Sequence, residues 1–250
     1  MTSLFDTPQM ALGYARARPA VHPSVVDMLR ARLQLTEPVD TVLDLGCGAG
    51  LSTRPLLPLA RCCVGVDPAG AMVRAATTTA PGASFATAVA EALPFPSDTF
   101  DLIAAAGSRD FVDLDRSLPE ARRVLRPDGT LVVYDFATGR TFRDADGDAL
   151  ATWFTMFRDR YPAVPRDPLD LEEPTGFRLR LRHEFAVELT MTRDAYVAYV
   201  MTETNVAAAI GRGTPEPEIE RWCTDTLTPV FAGHARAIVF TGYLAALTPT

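Results

Sequence analysis

A doubly wound α/β fold is predicted by three features of this 250-residue chain. An apolar, β-prone run from Thr41 to Leu45 ends in a turn with glycine at every second position, Gly46, Gly48 and Gly50. Strand and helix patterns then alternate to about residue 136. A second strand, Cys62 to Val66, ends in an acid, Asp67, about twenty residues after the turn.

The elements follow in order. His22 to Leu33 places apolar residues 25, 29 and 33 on one face and reads as a helix. Strands are expected at 41–46, 62–66, 83–87, 100–106 and 130–136. Ser52 to Leu59 is expected to be a helix, with Ser52 as its cap and Pro55 tolerated in the first turn. Ser117-Leu-Pro-Glu120 has the form of a capping box, so the fourth helix of the alternation is expected to start there rather than at Asp113. Parallel strands joined by such helices require right-handed crossovers and put a ligand at the strands' C-terminal ends.

Residues 137–178 break the alternation and read as an insertion after strand five, within one domain spanning 1–250. Asp148 to Tyr161 is amphipathic, with Leu150, Trp153, Phe154, Phe157 and Tyr161 on one face, and a proline-rich loop follows at 162–174. Beyond it, Phe177 to Leu189 alternates as a sixth strand, 192–209 reads as a helix capped by Thr192, 211–217 as a loop, and Ala237 to Tyr243 as the last strand. The whole is a Rossmann-like, mostly parallel seven-stranded sheet with helices on both faces and a helical cap after strand five.

The glycine turn carries the chemistry. Glycine accepts positive φ and lets backbone press against a ligand. Asp44 lies inside the apolar strand, where an uncompensated carboxylate is costly. Asp67 suits a ribose diol, one hydroxyl on each oxygen. The turn is neither the dinucleotide G-x-G-x-x-G, since Leu51 follows Gly50, nor a P-loop, since it lacks the Lys and Ser/Thr. A nucleoside without a strong phosphate requirement is the expected ligand.

Composition excludes several classes. The net charge of −7 argues against a nucleic-acid partner. All basic residues are arginine, so no catalytic lysine exists. Cys47, Cys62, Cys63 and Cys223 have neither metal nor C-x-x-C spacing; Cys62 and Cys63 are expected to be buried in a strand as reduced thiols. Asp144 to Asp148 is acid-rich, but a calcium loop would need Gly and Glu where Ala149 and Thr155 stand. His22, His183 and His234 show no ligand spacing, and no metal is expected. The chain has no leader-like start and no spanning stretch, so a cytoplasmic protein without membrane contact is expected.

Several blocks together resemble a known family. Val42-Leu-Asp-Leu-Gly-Cys-Gly-Ala-Gly50 with Gly65-Val-Asp67, then Ala90-Glu-Ala-Leu-Pro-Phe-Pro-Ser-Asp-Thr-Phe-Asp101, then Glu120-Ala-Arg-Arg-Val-Leu-Arg-Pro-Asp-Gly-Thr130, are similar to the signature of class I S-adenosylmethionine-dependent methyltransferases over roughly residues 40 to 136. The nearest flavour is the small-molecule branch with ubiquinone-biosynthesis and trans-aconitate methyltransferases. The resemblance implies S-adenosylmethionine as cofactor, S-adenosylhomocysteine as product, and a small-molecule acceptor methylated on oxygen, nitrogen or carbon by a monomer or homodimer.

It also implies roles by position. Asp44, Gly46, Cys47, Gly48, Gly50, Asp67, Pro68, Met72 and Gly107 would line the cofactor. Many relatives carry Asp where Val89 stands, so adenine recognition would fall to Ala90 and Glu91. Tyr14-Ala-Arg-Ala-Arg-Pro19 resembles a segment folding over the cofactor, with Tyr14 and Arg18 (or Arg16) toward the methionine carboxylate. Trp153 and Phe157 in the insertion, and Tyr196 and Tyr199 with Glu203 near one face of the later helix, would face the acceptor; core packing explains the same spacings of the aromatic residues. Asp110 stands where relatives often carry a His-Trp pair, and is either an acceptor base or an acid at a helix start.

Overall fold

The computed structural model describes residues 6–107, 113–144, 148–162 and 174–250. Five parallel strands form first: β1 (Val39–Leu45), β2 (Ala60–Asp67), β3 (Ser84–Thr87), β4 (Phe100–Ala106) and β5 (Leu125–Phe136). Two long antiparallel strands, β7 (Phe177–Met191) and β8 (Arg236–Pro249), complete the sheet. A two-residue strand, β6 (Thr141–Phe142), was not anticipated. It pairs with Val239 and Ile238 of β8, on the edge that β5 has just left at Gly242, so it prolongs β5's line and leaves the sheet seven strands wide. The order is β3-β2-β1-β4-β5-β8-β7, with the order reversing beside β1. That switch point is where a doubly wound sheet opens a ligand crevice.

Helices cover both faces. On one, α2 (His22–Arg32), α3 (Thr53–Leu56), α6 (Asp148–Arg160), α7 (Arg193–Val200), α8 (Thr204–Gly211) and α9 (Glu216–Phe231) share a core with Val42, Ala104, Val132, Leu244 and Ala246. On the other, α5 (Leu114–Val124) buries Ala121 and Val124 against Leu43, Ile103, Leu131 and Val133. A small alanine-rich seam joins α1 (Pro8–Ala17) to α4 (Gly70–Thr79) and to Ala49 of the glycine turn.

Local chemistry overrides several sequence expectations. Ser52 caps nothing: its backbone is already helical and its hydroxyl turns to Asp44, so α3 is one turn followed by a 3-10 turn at Leu57–Leu59. The Ser117 capping box does not form. Asp113 caps α5 through the Asp115 N–H, and Glu120 bonds Arg123 and the Leu93 N–H instead. The expected 192–209 helix is capped by Thr192 but breaks at 201–203, where the Thr202 hydroxyl donates to Tyr199 O and Glu203 turns extended. The sequence reading assigns no element between 218 and 236, where α9 runs with Ile219, Cys223 and Leu227 buried at four-residue spacing. Cys62 is exposed, not buried; Cys63 is buried.

The aromatic stripe of α6 is core. Trp153 and Phe157 are fully buried and stacked at 5.3 Å, beside Trp222 of α9 and Tyr196 of α7. The Trp153 Nε1–H donates to Thr226 Oγ1 at 2.8 Å, which satisfies its polar end. Trp153→Ala removes this packing and leaves a cavity, so unfolding free energy should fall by about 3–5 kcal/mol. Denaturant titration checks it. A loss within experimental error would show that the stack contributes no stability.

Candidate active site

Asp44 lies in the buried C-terminal part of β1 with no exposed surface. Its Oδ2 accepts the hydroxyls of Ser52, at 2.7 Å, and Thr53, at 2.6 Å; its Oδ1 has no hydrogen-bond partner. Burial raises its pKa to about 6, against the pull of the two hydroxyls. One strand over, Asp67 accepts the Gly48 N–H at 3.0 Å and the Ala69 N–H at 2.9 Å. Burial raises this carboxyl too, opposed by the same two backbone bonds.

The three glycines of the turn differ in purpose. All have positive φ. A Cβ on Gly50 would meet the backbone of Ala76 at 3.0 Å, so this glycine lets α4 approach. A Cβ on Gly48 would meet nothing within 4 Å, so this one faces open space beside Asp67. The turn's donors are largely consumed internally: the Gly46 and Cys47 N–H groups go to Val66 O, and the Gly50 N–H goes to Cys47 O. A loop so occupied is poorly suited to cradle phosphate. Burial pushes the Cys47 thiol far up, so it is no nucleophile.

Around this corner the expected residues separate. Met72 is buried in the α1–α4 seam against Ala11 and Ala49, and Pro68 is exposed beside Asp67. The Ala88 N–H donates to Asp67 O at 3.2 Å, which brings buried Ala90 alongside. Glu91 also serves the fold: its Oε1 accepts the Asp113 N–H at 2.8 Å, at the start of α5. Gly107, at positive φ, closes β4. Asp110 lies outside the described residues.

The N-terminal segment lies against the site. Asp6 accepts the Ala71 N–H at the start of α4, and α1 rests on the glycine turn through Ala11. Arg18 follows α1. Its guanidinium sits over the Tyr14 ring at 4.6 Å and the Tyr199 ring at 5.3 Å, and Nη1 donates to Glu203 at 2.7 Å. Its Nε is buried with no hydrogen-bond partner. Thr138 donates to the other oxygen of Glu203 at 3.2 Å. Close by, His22 Nδ1 meets the Tyr134 hydroxyl at 2.9 Å, and burial, aided by the Arg18 charge, lowers that imidazole to about 4, so it is neutral near pH 7. Tyr196 is buried and donates to Gly139 O at 2.6 Å. The cluster of Arg18, Thr138 and Glu203 is what sequence reasoning missed. Arg18 and Glu203 each had a signal of their own and Thr138 had none; what brings the three together is the break between α7 and α8.

Comparison with known proteins identifies the corner. Residues 43–133 match the family described as "Methyltransferase domain". That stretch runs from β1 into β5 and takes in the glycine turn and Asp67. It is similar to the uncharacterized methyltransferase YcgJ of Bacillus subtilis, 36% identical over 100 residues, which are 38% of this chain and 40% of that protein. It is also similar to the ubiquinone/menaquinone biosynthesis C-methyltransferase UbiE of Geobacter sulfurreducens, 37% identical over 110 residues, 40% of this chain and 43% of that one. The matches thus span about two fifths of each relative. Among solved structures, a candidate type II methyltransferase from Anaeromyxobacter dehalogenans has the same fold, with a TM-score of 0.68 at 22% identity, covering 91% of this chain and 95% of that one. The [4+2]-cyclase SpnF has it too, with a TM-score of 0.55 at 18% identity, covering 91% of this chain and 81% of that one.

The buried carboxylate makes stability depend on pH. Asp44 loses its proton near 3.8 when unfolded and at about 6 when folded. Between those values the folded state keeps a proton that the unfolded state has lost, so stability falls as pH rises from about 4 to about 6 and stays lower by ~3 kcal/mol above. Asp44→Asn removes that loss. Its denaturant midpoint should exceed the parent's at pH 7.5, and the gap should close toward pH 4. A gap independent of pH would rule out titration of Asp44 as its cause.

Proposed function

We propose that this protein transfers a methyl group from S-adenosylmethionine to a small-molecule acceptor and releases S-adenosylhomocysteine. The observation that carries this reading is the corner where Asp67, held by the Gly48 N–H, stands next to a glycine with open space above it, inside the stretch that matches a methyltransferase domain. A carboxylate with a lone pair to spare on each oxygen fits a ribose diol. The unpartnered Oδ1 of Asp44 fits the ammonium end of the cofactor's methionine, directly or through water, and the buried Nε of Arg18 fits its carboxylate. Pro68, Met72 and Ala90 then border the adenine.

When bound, the cofactor supplies an electrophilic methyl on a sulfonium. The chain's part is alignment and exclusion of water, which alone can account for much of such an acceleration. The acidic surface disfavours nucleic acid as acceptor. A compact metabolite is favoured, in keeping with the quinone-pathway name of UbiE. No described helix is long and apolar enough to cross a membrane. A second reading has one observation behind it: the fold is shared with a protein named as a [4+2]-cyclase, so binding the nucleoside does not by itself entail methyl transfer.

Calorimetry separates these. The purified chain should bind S-adenosylmethionine and S-adenosylhomocysteine with micromolar-range affinity and NAD far more weakly. Asp67→Ala should weaken S-adenosylhomocysteine about ten- to a hundredfold with the fold intact. Equal or tighter NAD binding would overturn the cofactor assignment. Methyl-labelled cofactor incubated with a metabolite extract then decides between transfer and binding alone: labelled product supports the first, and its absence with cofactor binding intact supports the second.

A further inference from the structure

A groove of about 410 Å³ opens where β5 ends against the antiparallel β7–β8 pair, lined by Asp135, Ala137, Arg182, Glu184, Thr241 and Tyr243. Its size is at the small end of ligand sites. Strand register explains its shape. Asp135 of β5, Tyr243 of β8 and Glu184 of β7 are direct partners, so they form one row across three strands on a single face of the sheet. Adjacent strands are ~4.8 Å apart, so the two carboxylates stand roughly 10 Å apart at their backbones with the tyrosine ring between them. Arg182 lies two residues before Glu184 on the same face, its guanidinium 5.0 Å from the centre of the Tyr243 ring. The neighbouring row is small, Ala137 and Thr241, and leaves the hollow. Among the described residues, Arg182 and Glu184 make no ion pair with each other or with any third group, and both are exposed.

This groove adjoins the candidate active site. A Cβ on Gly107 would lie 3.5 Å from Asp135 Oδ1, so the carboxylate sits at the mouth of β4. Asp135 is half-buried, and its Oδ1 accepts its neighbour's backbone N–H from Phe136. It lies on the α5 face of the sheet, whereas Arg18 and Glu203 lie on the other. The groove therefore reaches the strand ends by a route that does not cross the helices α6 to α9.

We propose that the acceptor binds in this groove and is an amino-acid-like zwitterion: its ammonium or amine faces Asp135 and Glu184, its carboxylate faces Arg182, and its apolar part lies along Tyr243 and over Ala137. This rests on the methyltransferase reading and names its substrate class. Two carboxylates against one guanidinium match a ligand with an amine that donates more than one hydrogen bond and an acid that accepts a forked pair. Asp135, nearest to Gly107, holds the amine that points toward the strand ends.

The test is binding, not turnover. The full chain, saturated with S-adenosylhomocysteine, is titrated by calorimetry with each of the twenty standard amino acids. For any that binds, the amine and the acid made by deleting one charged group are titrated as controls. At least one amino acid should bind, with each control weaker by about tenfold or more. Glu184→Gln and Arg182→Gln should each weaken that amino acid by about ten- to a hundredfold, with S-adenosylhomocysteine affinity unchanged. Binding of S-adenosylhomocysteine with no amino acid bound overturns this proposal and leaves the cofactor reading standing. Amino-acid binding that survives both substitutions places the acceptor elsewhere and overturns it as well. Failure of the parent chain to bind S-adenosylhomocysteine removes the cofactor reading, and this proposal falls with it.

Discussion

Asp44 holds a carboxylate at the end of a central strand, out of reach of water, and two hydroxyls from the next turn of chain, Ser52 and Thr53, provide its hydrogen bonds. That requirement shapes everything nearby. It draws the start of α3 back over the end of β1, so the chain between them must reverse within a few residues, and the positive φ of Gly46, Gly48 and Gly50 makes the reversal possible. The same pull costs α3 its side-chain cap and shortens it to one turn. Asp67 then pins the reversed loop from the neighbouring strand through the Gly48 N–H. The Asp67 charge adds to the cost of ionising Asp44, and both acids are held in place by donors within a few residues of the loop.

Such an arrangement is expensive for stability. A buried carboxyl with one oxygen unpartnered costs free energy in the folded chain unless a ligand satisfies it. Strain of this kind concentrates where function needs it. The Arg18 and Glu203 pair repeats the pattern on a second level: a charged pair, largely sequestered between two tyrosine rings, ties the segment after α1 to the break between α7 and α8. The pieces that close over the corner are thus joined by polar contacts, which respond to a charged ligand more than apolar packing would.

The parts legible in the sequence are those governed by local pattern. The strands β1 to β5, the glycine turn and Asp67 follow from period, turn chemistry and spacing within about a hundred residues. The illegible parts depend on partners distant in sequence. Ser52 looks like a cap because Ser before a helix usually is one; only the fold reveals a buried acid competing for its hydroxyl. Glu91 looks like an adenine contact; that it also takes the Asp113 N–H, at the start of α5, shows only in the fold. The aromatic stripe of α6 has the same spacing whether it faces a ligand or a core, and α9, carrying Trp222, decides for the core. Thr138 carries no motif at all, and its meeting with Arg18 and Glu203 is set by where two helices break.

Gly242 shows how the fold joins the glycine-turn corner to the antiparallel strands. A Cβ there would meet Asp135 O at 2.2 Å and the Phe185 ring at 2.6 Å, so the antiparallel strand can lie against β5 at this level only with glycine. That close approach sets Arg182 and Glu184 in one groove with Asp135, which alone of the three borders the β4 mouth at Gly107. The glycine-turn corner is built from residues 44 to 107, and the groove beside Gly107 draws on residues 135 to 243. The matched domain ends at residue 133, just before the first groove residue. On the proposed reading, likeness to relatives therefore constrains the nucleoside half of the site and leaves the acceptor half to this chain's own antiparallel strands, where a change of charge at two exposed positions would alter what is bound without disturbing the core beneath.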